Sequence, residues 1–169
     1  MSLRALIETP LVRLVPMDRK QADALRRGEL LGIRAGRGWP HADTLDGIGA
    51  AVAGEDPEAL PWLLVLRSAG EVIGDLGWKG TPSADGEVEI GYGLAAAYRG
   101  RGLAIHAVGA LVDWLRAQPN VRRIVAQTDP DNTPSRRVLE RLGFAVTGED
   151  NDGVWYALDV ETTESKHAS

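Results

Sequence analysis

The chain of 169 residues contains no cysteine, and this absence excludes several kinds of chemistry. Without thiols the protein can form no disulfide, no thiolate zinc site and no cysteinyl acyl intermediate. Any acyl transfer must therefore proceed by direct attack of the acceptor on the donor. Histidine is also scarce, and His41 and His106 lie too far apart, with too few acidic neighbours, to predict a metal site.

A basic excess is missing as well, because 24 Asp and Glu outnumber 19 Lys and Arg and give a net charge of −5. Neutralising the phosphates of a nucleic acid needs basic clusters, so we expect no nucleic-acid partner and a mild preference for cationic substrates. No apolar run is long enough to cross a bilayer, and residues 1–10 lack the basic start and apolar centre of a signal peptide. We therefore expect a cytoplasmic protein with no membrane partner, either a monomer or a homodimer.

The overall composition, with 44% hydrophobic and 25% charged residues, suits one domain with a full core. We expect that domain to span residues 1–160 and the polar residues 161–169 to form a flexible tail. Apolar periodicity predicts an α/β fold, with a mixed sheet of about seven strands and helices on both faces. Predicted strands cover residues 11–15, 63–66, 72–78, 87–94, 121–127, 144–147 and 154–158; predicted helices cover residues 18–27, 44–53, 102–118 and the segment between Thr133 and Gly143.

The segment EVEIGYGLAAAYRGRGLA, from Glu87 to Ala104, is typical of an anion site. A strand that feeds a glycine-rich helix start aims unpaired backbone N–H groups and the positive end of the helix dipole at one point. Arg99 and Arg101 add charge there, although an ordinary solvated turn is an alternative. Neither GxxxxGK[ST] nor GxGxxG is present, so the pattern does not favour ATP or NAD.

The strand at the start of this segment has two unequal faces. Alternation predicts a core face and a partly bare face, because glycines leave backbone open to a ligand. The core face carries Val88, Ile90, Tyr92 and Leu94, and the bare face carries Glu87, Glu89, Gly91 and Gly93.

Two short motifs give the chain a recognisable resemblance. RGRGLA, from Arg99 to Ala104, fits the [QR]xxGx[GA] signature of the GCN5-related N-acetyltransferase (GNAT) family, and NTPSRRVLERLGF, from Asn132 to Phe144, fits the second signature of that family. IETPLVRLVPM near the N-terminus resembles the opening strand of the ribosomal-protein N-terminal alanine and serine acetyltransferases. The resemblance covers nearly the whole chain and is least certain over residues 28–61.

The resemblance implies a GNAT fold in which strands 87–94 and 121–127 splay apart and acetyl-CoA enters the gap. Pantetheine would bind the backbone of Tyr92 to Leu94, and the pyrophosphate would bind the N–H groups from Gly100 to Ile105. No metal is implied. The implied cofactor-binding residues are Tyr92, Gly93, Leu94, Arg99, Gly100, Arg101, Gly102, Leu103, Ala104, Ile105, Asn132 and Ser135.

Two residues are candidates for catalysis by the same resemblance. Glu89, in the motif EIGY, is the candidate general base and would act through water; a strand carboxylate that is paired with an arginine or caps the sheet is the alternative. Ser135 is the candidate donor to the leaving thiolate, because no tyrosine occurs between Val121 and Phe144. The alternatives are structural: a first-turn serine for Ser135, and a turn residue or N-cap for Asn132.

No sequence motif identifies the residues that would bind the acceptor. Trp39, His41 and Trp78 are candidate substrate-binding residues, and an anchor for a surface loop is the alternative for Trp39 and His41. The favoured function is an acetyl-CoA-dependent N-acetyltransferase that acts on a primary amine, either a protein N-terminus or a small molecule. The alternative is an acyl-CoA-binding or regulatory module without turnover.

Overall fold

The structure is a computed structural model that describes residues 4–160. Eight strands form one sheet in the order β1-β2-β3-β4-β5-β6-β8-β7. The strands are β1 Ile7–Glu8, β2 Val12–Pro16, β3 Trp62–Leu66, β4 Glu71–Trp78, β5 Glu87–Leu94, β6 Arg123–Thr128, β7 Ala145–Asp150 and β8 Gly153–Asp159; the helices are α1 Arg19–Arg26, α2 Ala42–Ala53, α3 Leu103–Arg116 and α4 Thr133–Arg141, with short 3₁₀ turns at Pro57–Ala59 and Ala96–Tyr98.

The predicted mixed α/β fold is confirmed, with differences in the number and bounds of its elements; for example, β7 runs to Asp150 rather than residue 147. The sheet has eight strands rather than about seven, because the two-residue strand β1 pairs with β2 and is too short to show a periodicity. Strand β6 begins at Arg123 rather than Val121, since the N–H groups of Arg122 and Arg123 both donate to the carbonyl of Gly86. The tail predicted at residues 161–169 lies outside the described residues.

Strands β5 and β6 form the parallel pair of the sheet, and they stay together for only half of β5. Their register runs from Glu87 opposite Arg123 to Ile90 opposite Ala126. Beyond Ile90, strand β5 keeps its antiparallel partner β4 through Leu94, opposite Gly74. The described part of β5 therefore separates from β6 at Gly91, and a gap opens at the carboxyl ends of both strands.

The helices pack on both faces of the sheet, around two separate cores. Helix α3 supplies Leu103, Val108 and Leu111 to the larger core, whereas α1 and α2 supply Leu25 and Ile48 to the smaller one. The larger core includes a cluster of three indoles in edge-on contact, with ring centroids 5.3 to 6.2 Å apart: Trp62, Trp78 and Trp114. No helix within residues 4–160 is long and apolar enough to cross a membrane.

Helix starts in this chain differ in how their free N–H groups are satisfied. Asp18 caps α1 in a capping box with Gln21, and Asn132 caps α4 by accepting from the Ser135 N–H. Helix α3 has no side-chain cap and begins at Gly102, which has a left-handed backbone with φ of 75°. Its first-turn N–H groups have no partner within the helix.

Candidate active site

The two faces of β5 have the predicted asymmetry in part, since Tyr92 of the core face is only partly buried and lines both cavities, and Gly93 of the bare face is covered by the His41 ring. Val88, Ile90 and Leu94 are buried, at 2%, 2% and 7% exposure. On the opposite face, Gly91 is open, since a Cβ there would meet only the Lys79 side chain, at 3.8 Å. On β4, Gly77 lies opposite Gly91, but a Cβ at Gly77 would be 3.2 Å from Pro61 Cα, so that position is covered by the chain before β3.

A cavity of about 680 Å³ lies above this bare surface. Its floor is formed by β4 and β5, and the first residues of α2 and the turn after α2 close its sides. The wall contributed by α2 consists largely of small residues, namely Gly47, Ala50, Ala51 and Gly54. The cavity is therefore deep enough for a ligand that carries a sizeable body, and most of its lining is apolar.

The buried end of this cavity contains a carboxylate, Asp75 of β4, and the imidazole of His41. The side chains of Asp75 and His41 are 14% and 21% exposed, and Asp75 Oδ2 lies 4.0 Å from His41 Nε2. Asp75 Oδ2 also accepts hydrogen bonds from Thr44 Oγ1 at 2.5 Å and from Trp39 Nε1 at 2.9 Å. Desolvation by burial raises the pKa of Asp75, and the two hydrogen bonds oppose that rise.

The open end of the cavity carries an ion pair. Lys79 Nζ lies 2.6 Å from Glu89 Oε2, and the two side chains are 61% and 24% exposed. Glu89 is not itself among the lining residues of the cavity, but its partner Lys79 is, and Glu89 is thus ion-paired with a lysine rather than with an arginine. Lysine takes the partner position because Lys79 follows β4 directly and its N–H donates to the Glu89 carbonyl.

A second, smaller cavity of about 250 Å³ occupies the gap between β5 and β6. Tyr92, Thr128, Asn132 and Ser135 are among its lining residues. The Tyr92 hydroxyl spans the gap, 2.7 Å from Ser135 Oγ and 3.2 Å from the Ser135 carbonyl oxygen. Desolvation by burial raises the pKa of Tyr92, so this hydroxyl stays protonated at neutral pH.

The small cavity also contains a polar atom that no protein group satisfies. Thr128 is 7% exposed, and its Oγ1 has no hydrogen-bond partner among the described residues. A buried hydroxyl without a partner is unfavourable by about 1 to 3 kcal/mol, so a ligand group that bonds to it gains that energy. Asn132 uses its Oδ1 to accept from the Ser135 N–H, 3.2 Å away. This is the capping role, and it leaves the amide nitrogen of Asn132 free for a ligand.

The start of α3 fits an anionic group. Gly100 and Gly102 have φ of 78° and 75°, and a Cβ at either position would meet nothing within 4 Å, so a ligand can reach the backbone there. The two arginines of the motif are partly engaged within the protein. Arg99 Nε donates to the Leu94 carbonyl at 3.1 Å, and the Arg101 guanidinium lies over the Tyr98 ring at 5.4 Å.

A model of the acetyltransferase (GNAT) domain family matches residues 12–145 of the chain. The chain belongs to the GNAT acetyltransferase family. It is an acetyl-CoA-dependent N-acetyltransferase by that membership. An uncharacterized N-acetyltransferase of Bacillus subtilis (strain 168) is 29% identical over 153 residues, which cover 82% of this chain and 89% of the relative.

Solved GNAT structures have the same architecture. RimJ of Mycobacterium smegmatis, in complex with CoA-disulfide, is 26% identical with a TM-score of 0.65 over 95% of this chain and 87% of that chain. The ribosomal-protein-S5-alanine acetyltransferase of Vibrio fischeri is 20% identical with a TM-score of 0.65, over 94% of this chain and 98% of the other. The second likeness concerns the fold alone.

The GNAT site brings together some of the residues predicted from the sequence and not others. His41 lines the large cavity, Glu89 pairs with Lys79 of its lining, and Tyr92, Asn132 and Ser135 line the small cavity. Within residues 4–160, no three His, Asp or Glu side chains gather as a metal site would require. The sequence reasoning missed Asp75 and Thr128, although a lone carboxylate in the apolar run VIGDLGW is a usable signal.

The two tryptophans predicted as substrate contacts differ in their position relative to the large cavity. Trp39 is 4% exposed and is absent from the lining of the large cavity, because its ring packs in the smaller core and its N–H bonds Asp75. Trp78 is among the lining residues of the large cavity, although it is only 4% exposed because its ring packs against Trp62 and Trp114 and its N–H bonds the Glu58 carbonyl. The buried Trp39 ring therefore offers little surface to a substrate, whereas the substrate contact of Trp78 stays a prediction.

Proposed function

We propose that this protein transfers the acetyl group of acetyl-CoA directly to a primary amine bound in the large cavity. The supporting observation is that the large and small cavities meet on one strand, since Gly91 and Tyr92 line both. A donor in the gap between β5 and β6 and an acceptor above Gly91 would therefore be neighbours. Such a ternary arrangement suits direct transfer, which a chain without cysteine requires.

The residues around the small cavity and the start of α3 would hold the donor. Backbone groups from Tyr92 to Leu94 would bind pantetheine beyond the point where β5 leaves β6. Thr128 Oγ1 and the free amide nitrogen of Asn132 offer further hydrogen bonds. The uncapped N–H groups from Gly100 to Ile105 would bind the pyrophosphate. When bound, the cofactor supplies an acetyl thioester, whose carbonyl carbon is the electrophile.

Glu89 would accept the proton of the acceptor amine, and Ser135 would donate a hydrogen bond to the departing sulfur. The acceptor nitrogen loses a proton to Glu89, directly or through water, as its bond to the acetyl carbon forms. The departing sulfur accepts a hydrogen bond from Ser135 as its bond to carbon breaks. If the Tyr92 hydroxyl donates to Ser135 Oγ, the serine hydrogen is free to point towards that sulfur. Tyr92 would then act as a positioning residue.

Release of free thiol from acetyl-CoA in the presence of amines tests this function. We expect release with at least one member of a panel of monoamines, polyamines and N-terminal peptides, and the acetylated amine in a mass spectrum. Acetyl-CoA at 100 times its Kd should stabilise the native state by about 2.7 kcal/mol. For a domain of this size that raises Tm by about 5 to 10 °C. A rise in Tm without thiol release would favour a binding module, and no rise at millimolar acetyl-CoA would contradict both functions.

Replacement of Glu89 by glutamine should slow acetylation about tenfold near pH 7 and less at higher pH. The reason is that the acceptor amine loses its proton unaided once the pH exceeds the amine pKa, about 8 for an α-amino group. The measurement is kcat/KM against pH, together with the Kd for acetyl-CoA, which should not change. Glu87→Gln is the matched control, because Glu87 lies on the same face of β5 but is exposed and pairs with Arg123. Equal losses at all pH values would assign the base to another group.

A further inference from the structure

Lys79 carries the only side-chain amine among the described residues that line the large cavity. The chain has three lysines: Lys20 is exposed on α1, Lys79 follows β4 directly, and Lys166 lies outside the described residues. The backbone N–H of Lys79 donates to the Glu89 carbonyl at 2.7 Å, so the pairing of β4 with β5 places Lys79 beside Glu89. A primary amine of the protein itself therefore lies in the cavity that the proposed function gives to the acceptor.

The amine of Lys79 contacts the candidate base. Nζ lies 2.6 Å from Glu89 Oε2, within hydrogen-bond distance. A general base must reach the proton that it removes, and Glu89 reaches the proton of this amine without any rearrangement. The Lys79 side chain is 61% exposed, and an ion pair with an exposed partner contributes little to stability. The fold therefore does not depend on the pair, and the amine can leave Glu89 as well as return to it.

The Lys79 side chain also reaches the donor side of the site. Its Cε lies 3.8 Å from the position that a Cβ of Gly91 would occupy, so the end of the side chain lies over the backbone of β5. Gly91 lines both cavities, and Ser135 lines the small one. Because Gly91 has no side chain, nothing from this residue separates the amine from the small cavity. Nζ thus lies near both the candidate base and the cavity where the donor would bind.

We infer that Lys79 Nζ occupies the position of the acceptor amine, and that the enzyme acetylates Lys79 of its own chain when no external amine takes that position. This inference rests on the proposed function, since it uses the same base and the same donor. As the bond from Nζ to the acetyl carbon forms, the bond between that carbon and sulfur breaks. The lysine ammonium loses one proton to Glu89 before the attack and a second as the amide forms; one of the two ends on the CoA sulfur and the other in solvent. The products are Nε-acetyllysine and CoA.

Attachment of the amine to the protein favours this reaction. Reacting groups held within one molecule reach effective concentrations far above that of a free amine in solution. The reaction occurs once per chain, because acetylation consumes the amine. It also removes the positive charge of Lys79, so Glu89 loses its ion-pair partner. An external amine must compete with Lys79 for Glu89, and a saturating external amine should therefore slow the modification.

Site-resolved mass spectrometry after incubation with acetyl-CoA alone tests the inference. We expect an acetyl group at Lys79, added at least about tenfold faster than at Lys20, which reports acetylation by free acetyl-CoA in solution. The rate constant at saturating acetyl-CoA should not change with protein concentration, because the amine and the donor site belong to one chain. Glu89→Gln should slow the modification of Lys79 about tenfold. Glu87→Gln should not, since the Glu87 carboxylate pairs with Arg123 instead.

A second measurement needs no acetyl-CoA. The probe is n-butylamine, which has the four-carbon stem and the amine of a lysine side chain; n-butanol has the same stem without the charge. We expect n-butylamine to bind Lys79→Ala at least about tenfold more tightly than the wild type, because the variant vacates the place beside Glu89, whereas the affinity for n-butanol should not change. Lys20→Ala is the matched control. It removes the same charge from an exposed position outside both cavity linings, and it should keep the wild-type affinity for n-butylamine.

The outcomes separate the inference from the proposed function. Acetylation of Lys79 no faster than that of Lys20, or a rate constant that rises with protein concentration, overturns acetylation within the chain. An affinity for n-butylamine that is the same in Lys79→Ala and the wild type overturns the assigned position of the amine. Thiol release with external amines and an unmodified Lys79 contradict the inference and leave the proposed function intact. Rapid acetylation of Lys79 without thiol release for any external amine supports the inference and contradicts an external acceptor.

Discussion

Replacement of Gly91 by leucine should lower kcat/KM by at least about 100-fold while the protein remains folded. Gly91 lines both cavities, so a leucine side chain would stand between the donor and the acceptor. Displacement of a reacting group by about 1 Å can already reduce turnover by about 100-fold. The backbone at Gly91 does not use the left-handed region, and a Cβ there meets only Lys79 Cε at 3.8 Å. A Cβ at this position therefore causes no clash, and we expect the variant to fold.

The measurements for this variant are Tm, acetyl-CoA affinity and thiol release with the best amine of the panel. Gly148→Leu is the matched control, since Gly148 also lies in a strand, avoids the left-handed region and has open space around its Cβ position. It should retain wild-type activity. If Gly91→Leu is stable and active, the two cavities do not form one reaction site.

Replacement of Ser135 by alanine should lower kcat by about 100- to 1,000-fold, in the range found when one hydrogen-bond donor to a developing negative charge is removed. Affinity for acetyl-CoA should change little, because the role proposed for Ser135 develops as the sulfur departs. Tyr92→Phe should have a smaller effect, since Tyr92 contacts Ser135 across the gap at 2.7 Å. The double variant should be no slower than Ser135→Ala alone, because both residues act on one step.

A better leaving group provides the decisive comparison for these variants. Acetyl thioesters of thiols with low pKa need less help at the sulfur, so S-acetyl-4-nitrothiophenol should reduce the difference between Ser135→Ala and wild type. Glu89→Gln should keep its full deficit with the same donor, because its role concerns the amine. A Ser135→Ala deficit that is unchanged with the activated thioester would leave Ser135 as a cofactor-binding residue only.

Much of the fold could be predicted because it depends on local patterns. Strand β5 has the predicted bounds, Glu87–Leu94, since a strict alternation of apolar and bare residues marks both of its ends. The uncapped start of α3 follows from the glycines around Arg101. Strand β1 could not be predicted, because two residues carry no period and the strand exists only through its pairing with β2.

The sequence alone could predict the candidate site only where its residues lie on a single strand or helix. Glu89 and Tyr92 lie on a single strand, so their opposite faces follow from alternation alone. Asp75 depends on the register between β4 and β5 and on hydrogen bonds to Thr44 and Trp39, which lie 31 and 36 residues away in sequence. The aromatic ring of Trp39 predicts a contact with the acceptor. In the structure that ring is buried, and the Trp39 N–H donates to Asp75. Such long-range contacts leave no periodic signal.

The cluster of Trp62, Trp78 and Trp114 fixes the distance between helix α3 and strands β3 and β4. Trp114 belongs to α3, whose start would bind the pyrophosphate, and Trp62 and Trp78 belong to the strands beneath the acceptor cavity. Edge-on contacts of 5.3 and 5.5 Å from Trp114 to the other two rings hold the helix at one position along the sheet. Because a pantetheine arm has a limited reach, the positions of these three indoles would set how far the acetyl group extends towards the amine if the start of α3 binds the pyrophosphate.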